Sequence, residues 1–232
     1  MALLREMPAQ IAPLLDKKSP PLANPRFKVA AFYSISNCEP GLRGVSLGNF
    51  LIKNVAQQLQ REMPGPKVFC TLSPIPSLAS WLLAEPDFNT LPGLRKAQVV
   101  ELNQARERLR SLCNGHLQAL QQAAAHEALG SEGKAALLML CSAYLLHGST
   151  SDSGDPVARF HLDNGARLER LNVQGNMSAA GLKQSFGMMV NYLYDLDKVE
   201  SNHAKFRQGE VARSRTLGSH TAWHPTPTET ST

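Results

Sequence analysis

A mixed α/β fold is predicted by three features of this 232-residue sequence. A strand, a glycine-bearing turn, a helix and a second strand follow one another between residues 28 and 72. Helical periodicity then runs from about 78 to 147, and strand-forming sequence returns near residue 160. With 43% hydrophobic residues the chain can build one good-sized core, with extensions, but not two large ones.

The elements follow in order. After the proline-rich "KKSPPLANPRF", the segment "KVAAFYSIS" has strand character and is ended by Asn37 and the Pro40-Gly41 turn. In "GNFLIKNVAQQLQREM", Leu47, Phe50, Leu51, Val55 and Leu59 recur at helical spacing, with Lys53, Gln57 and Gln60 outside, and "PGP" stops the helix. "KVFCTL" is the second strand, and the helix between the two is a crossover long enough for parallel pairing. "LRKAQVVELNQARERLRSL", "NGHLQALQQAAAHEAL" and "GKAALLMLCSAYLLHG" are helical by period and propensity, a helical insertion over about 78 to 147. "ARFHLDNGARLERLNV" reads as strand around a "DNG" turn, a hairpin or two short strands, with His161 opening a strand. "SAAGLKQSFGMMVNYLYDL" reads as a helix entered by Ser178, with an apolar face of Leu182, Phe186, Met189 and Leu193. One domain is thus expected over residues 1 to 200, followed by a tail over 201 to 232 whose end, "HTAWHPTPTETST", has the composition of disorder.

Composition excludes several roles. The longest apolar run, "AALLMLCSAYLL", falls short of the roughly 20 residues of a membrane span and reads as a buried helix. Cys38, Cys70, Cys113 and Cys141 lie far apart, with no histidine at zinc spacing, so neither a disulfide framework nor a metal site is expected and the thiols read as reduced. The start, "MALLREMPAQIAPLLDKK", is a poor secretory signal and too acidic for a transit peptide, which points to the cytoplasm. A net charge of +5, without clustering, suits a small polyanionic ligand or an ordinary solvated surface, not a nucleic-acid groove.

Three places could carry chemistry. The first is Arg43, Gly44, Val45, Ser46, Leu47, Gly48 and Asn49, where a strand delivers the chain to unpaired amides at a helix start. Glycines let backbone approach an anion, and Arg43 and the helix dipole favour negative charge; the same glycines also suit a plain tight turn. The second is Ser73 in "TLSPIPS", at a strand end followed by two prolines, either a chemical group or a Ser-Pro turn that stops the strand. The third is His161, a functional imidazole or a satisfied structural one. His116, His126, His147, His203, His220 and His224 show no ligand pattern.

"RGVSLG" resembles the diphosphate loop of acetyltransferase-fold proteins, with Ser46 at the first glycine. Taken together and in order, "FYSISNCEPGLRGVSLGNFLIK", "TLSPIPS", "DPVARFHLDNGARLERLN" and "FGMMVNYLYDL" resemble the catalytic domain of the malonyl-CoA decarboxylase family, over roughly residues 25 to 200. The resemblance implies an acetyltransferase-like mixed sheet flanked by helices. It implies Ser73, His161 and Tyr194 as active-site residues and Arg43 to Asn49 as the loop for the coenzyme A diphosphate. Some members carry a glutamate at Ser46, and a serine there can donate a hydrogen bond but supplies no charge. The implied substrate is malonyl-CoA and the implied reaction its decarboxylation to acetyl-CoA and CO2 in fatty-acid metabolism, with no cofactor beyond the coenzyme A of the substrate. The family's helical oligomerisation domain has no counterpart here, which leaves homo-oligomer formation open. The start looks like the end of an early strand followed by a helix, so the first strands of the fold are expected to be missing, by truncation or because the true start lies upstream. Two other readings compete, an acyl-CoA-binding remnant without catalysis and an acetyltransferase; the serine and histidine motifs argue against the second.

Overall fold

The computed structural model describes residues 1–18, 27–33, 48–63, 65–149, 151 and 154–219, and the statements below concern these. Strands β1 (Ala2–Leu4), β2 (Val29–Phe32), β3 (Val68–Thr71), β4 (Ser73–Pro74), β5 (Arg167–Asn172) and β6 (Met189–Tyr194) form one six-stranded sheet. β2 and β3 run parallel, Val29 opposite Val68 through Phe32 opposite Thr71, joined across helix α2 (Gly48–Glu62) as the sequence predicts. The other named pairs are antiparallel, so the sheet is mixed.

β3 and β4 meet the same edge of β6 in one register: Phe69 faces Tyr194, Cys70 faces Leu193, Ser73 faces Val190 and Pro74 faces Met189. They are one strand broken on the β6 side around Leu72; on the β2 side the Leu72 N–H still donates to the Phe32 carbonyl at 3.0 Å, the ladder bond of the Phe32–Thr71 pair. β5 lies along the other edge of β6, which makes β6 an interior strand of the sheet. Alternation divides the faces. Ala30, Phe69, Tyr192 and Tyr194 enter the main core, while Val29, Ala31 and Cys70 form a smaller cluster with Leu4, Met7, Val68 and Leu193 on the opposite side.

The stretch expected to be helical is so: α3 (Leu78–Leu83), α4 (Lys96–Leu112), α5 (Ala123–Ala128) and α6 (Gly130–Ala143), linked by short 3-10 turns and ended by a π-helical turn over Tyr144–Gly148. α4 buries Val99, Leu102, Ala105 and Leu109, one face of the helix, against α6. Leu137, Leu140 and Cys141 make the apolar run of α6 a buried helix, as its length requires. The start also folds as its resemblance implies, β1 and then a short helix α1 (Ala12–Leu15).

Four expectations are corrected. In α2 the inward face is Ile52, Ala56 and Leu59, at positions i, i+4 and i+7, so Val55, one position from Ala56, falls off that face and is exposed, while Leu47 lies outside the described residues. "DPVARFHLD" is not a strand but helix α7 (Pro156–Asp163), because Asp155 caps its amino end and Pro156 takes the first turn, where a missing N–H costs nothing. The helix beginning at Ser178 is only α8 (Ala179–Ser185): Phe186 (φ 52°) and Gly187 (φ 72°) are left-handed, and the alternating residues that follow become β6. Residues after 200 do not all form a tail. Helix α9 (Val199–Arg207) and helix α10 (Arg215–Ser219) continue the fold. Between them Leu168 N–H donates to Ala212 O and Ser214 N–H to Leu168 O, so this segment covers the outer edge of β5, which would otherwise be open. "HTAWHPTPTETST" lies outside the described residues.

Candidate active site

Ser73 sits two residues past Thr71, which with Phe32 makes the last parallel pair of the ladder between β2 and β3. Its hydroxyl is buried and donates to Thr71 Oγ1 at 2.8 Å; the Tyr192 N–H donates to the same oxygen at 3.3 Å. In the shared register Tyr192 lies opposite Thr71, and its N–H goes to the Thr71 hydroxyl rather than to the Thr71 carbonyl. The Asn191 amide closes the gap by donating to Thr71 O at 2.8 Å.

His161 comes from the other side, on the last turn of α7. Its helix ends in a Schellman motif: Gly165 N–H donates to Leu162 O, and Ala166 N–H donates to the carbonyl of His161 itself, with Gly165 left-handed at φ 75°. The imidazole stacks on the Tyr192 ring, centroids 4.5 Å apart, and Phe160 meets it edge-on at 5.1 Å. Its Nε2 lies 3.1 Å from Ser73 Oγ, and its Nδ1 lies 2.8 Å from the Tyr194 hydroxyl.

The hydrogen-bond directions assign the tautomer. Because the Ser73 hydroxyl gives its proton to Thr71, it accepts from His161 Nε2–H; Nδ1 therefore accepts from the Tyr194 O–H. Burial pushes the His161 pKa down from 6.5 to about 3, so the ring is neutral near pH 7, and burial pushes the Tyr194 phenol up, keeping it protonated. The result is a dry chain of uncharged groups, Tyr194 to His161 to Ser73, ending beside the last pair of the β2–β3 ladder. Such a chain can hold a hydrogen-bond donor at a developing oxyanion and pass a proton to a nearby carbon.

Ser73, His161 and Tyr194, the set the resemblance implies, come from three separate segments and lie within hydrogen-bond distance in series. Of the anion-loop residues, Arg43, Gly44, Val45, Ser46 and Leu47 lie outside the described residues, while Gly48 and Asn49 open α2. Sequence reading missed Thr71, Tyr192 and Asp155. The first two follow from alternation once β3 and β6 are strands; the third is signalled locally by the Asp-Pro start of α7. Among the described residues no group of histidine, cysteine, aspartate and glutamate could hold a metal ion. Cys70, Cys113 and Cys141 are free and buried, with burial pushing the Cys70 thiol up to about 12; Cys38 lies outside the described residues. No helix among the described residues is long and apolar enough to cross a membrane.

Comparison with known proteins agrees with this geometry. Residues 1–229 match the family described as malonyl-CoA decarboxylase C-terminal domain. The mitochondrial malonyl-CoA decarboxylases of Anser anser anser and Rattus norvegicus are 36% and 35% identical over 192 residues, 78% of this chain but 37% and 38% of those proteins. Crystal structures of malonyl-CoA decarboxylase from Rhodopseudomonas palustris (41% identity, TM-score 0.74) and Agrobacterium vitis (40%, 0.76) superpose on 94% and 96% of this chain, and on 48% and 52% of theirs. The chain therefore spans under two fifths of the length of these animal relatives and about half of the bacterial ones. The acetyltransferase-like mixed sheet expected from the motifs is the fold it shares with them. By its sequence match and its fold alike, this chain belongs to the malonyl-CoA decarboxylase family, in the C-terminal domain.

Proposed function

We propose that this chain decarboxylates malonyl-CoA to acetyl-CoA and CO2, with Ser73 and His161 as the reacting pair and Tyr194 as the group that orients the imidazole. The observation that carries the reading is the buried hydrogen-bonded run from Tyr194 through His161 to Ser73, beside the last pair of the β2–β3 ladder. When the carbon–carbon bond to the carboxylate breaks, its electron pair moves onto the carbon alpha to the thioester and into the carbonyl as an enolate. The oxyanion needs a donor. The His161 Nε2–H and the Ser73 O–H are the candidates, and one such donor in a dry site contributes about 3 to 4 kcal/mol to the barrier. The carbon then takes one proton from this pair, which is reloaded from solvent as product leaves.

With the His161 pKa pushed down to about 3 by burial, the donor in the resting site is a neutral imidazole, not an imidazolium. No acyl-enzyme is required of Ser73. The thioester is its own electron sink, so the reading asks for no metal, pyridoxal phosphate or biotin, and coenzyme A enters with the substrate. Arg43 to Asn49 would hold its diphosphate. The physiological setting of this reading is fatty-acid metabolism in the cytoplasm, without membrane or nucleic-acid partner; a homo-oligomer is compatible with it. Buried reduced thiols suit a reducing compartment, a property the cytoplasm shares with the mitochondrion of the animal relatives.

The test is to incubate the purified chain with malonyl-CoA and follow acetyl-CoA and CO2, beside Ser73→Ala. The expected result is turnover, reduced about 10²- to 10³-fold by the substitution. Full turnover in Ser73→Ala sinks the assignment, and a folded wild-type chain that binds coenzyme A without releasing CO2 sinks the activity. Tyr194→Phe keeps the ring and removes the O–H, so Nδ1 loses its donor; a buried group left unpaired costs about 1 to 3 kcal/mol, which predicts kcat about tenfold to a hundredfold lower. Unchanged kcat in Tyr194→Phe would show that the ring needs no donor at Nδ1.

A further inference from the structure

Ser73 and His161 are separated by 88 residues, and one further side chain spans the two segments that carry them. Asp155 is fully buried and caps α7: its Oδ1 accepts from Val157 N–H and Ala158 N–H, each at 3.0 Å. Its Oδ2 accepts from Ser77 N–H at 3.2 Å, in the turn that follows Ser73, Pro74, Ile75 and Pro76. One carboxylate therefore holds the amino end of the His161 helix and the turn of the Ser73 strand at a single point. Capping needs only one of its oxygens. A serine or asparagine could do that much, and the second oxygen is spent wholly on the bridge.

We propose that Asp155 is a positioning residue for the Ser73 and His161 pair, its two oxygens fixing the separation of the two segments so that Nε2 meets Oγ. The proposal rests on the reading that these two residues act together on malonyl-CoA. It does not make Asp155 catalytic, since its carboxylate touches neither reacting side chain but only the backbone on which each is carried. Such a bridge matters because displacement of a reacting group by about 1 Å can cost on the order of a hundredfold in rate.

Asp155→Asn separates the two jobs. The amide oxygen can still accept from Val157 and Ala158, while the amide nitrogen then faces Ser77 N–H, donor against donor. The reverse orientation would forfeit two hydrogen bonds to save one. Asp155→Ser keeps a cap with a side chain too short to reach Ser77. Both variants are expected to fold, with kcat for malonyl-CoA lowered about tenfold to a hundredfold and KM within about twofold of wild type. A residue needed only for folding would not split kcat from KM in this way.

A second readout does not depend on turnover. The ¹⁵N shifts of the His161 ring in Asp155→Asn are expected to move toward those of Ser73→Ala, where the bond to Oγ is absent. If Ser73→Ala and His161→Ala keep full turnover, the Ser/His reading fails. If they lose it while either Asp155 variant keeps wild-type kcat or wild-type ring shifts, the bridge alone is overturned. Loss of the far-ultraviolet helix signal in both Asp155 variants would mark a folding residue and overturn it equally.

Discussion

His161→Ala is expected to slow CO2 release from malonyl-CoA by about 10³-fold or more, since it removes the general acid and with it the group that orients Ser73. The same substitution has a second, independent signature in acid. In the folded chain the ring stays neutral down to about pH 3, whereas in the unfolded chain it takes a proton near pH 6.5. Above pH 6.5 neither state binds the proton and the full stability is present. Between 6.5 and 3 the unfolded state binds it and the folded state does not, so stability falls with acidification, at up to about 1.4 kcal/mol per pH unit. Below the folded pKa the loss is complete and goes no further. His161→Ala is therefore less stable at pH 7, having left a gap between Tyr192 and Phe160, but its urea midpoint changes less between pH 6.5 and pH 4. An unchanged acid slope would mean that the imidazole titrates alike in both states and is not held dry.

Gly165→Ala is expected to cost about 3 to 5 kcal/mol, a large share of the stability of an ordinary domain, and to lower the thermal midpoint by roughly 10 °C. Two costs combine. Gly165 is left-handed at φ 75°, and a Cβ there would overlap the Val199 carbonyl oxygen and lie 2.7 Å from Val199 Cγ1. Neither can yield cheaply. Val199 begins α9, which is tied back by Asn202 Nδ2–H to Gly165 O at 3.1 Å and, through Glu200, to Lys53 on α2 at 2.9 Å. Gly209 is the control, with φ 85° and open space where its Cβ would be, so Gly209→Ala carries the backbone strain alone, about 1 to 2 kcal/mol. Equal midpoints for the two variants would show that the approach of α9 does not demand glycine.

The parts of the fold readable from sequence are those whose signal is local and periodic. β2, α2 and β3 stand where alternation and helical spacing put them, and the parallel pairing follows from the length of the crossover. Ser73 at a strand end was readable for the same reason. Reading failed where two periodicities fit one stretch. Leu182, Phe186, Met189 and Leu193 are spaced as a helix face, and only the left-handed pair Phe186 and Gly187 divides them between a helix and a strand. "DNG" carries the letters of a hairpin turn and also those of a helix end, and Asp155 with Pro156 decides for the helix. The motifs named Ser73, His161 and Tyr194 as a set, but no spacing in sequence states that a tyrosine's hydroxyl faces Nδ1, or that an aspartate of one segment holds the backbone of another. Those are properties of the sheet's register and of the end of one helix.

That register has a consequence for how such a sequence can change over time. β6 sends Tyr192 and Tyr194 to the His161 side and Leu193 to the opposite cluster, while pairing with β3, β4 and β5 at once. Gain or loss of one codon between Gly187 and Tyr194 would exchange the two faces, bringing leucine to the imidazole and a phenol to the Val29 cluster. A substitution on an outer helix leaves this register untouched. The length of this short segment is a different matter, and insertions or deletions there should be far rarer than substitutions.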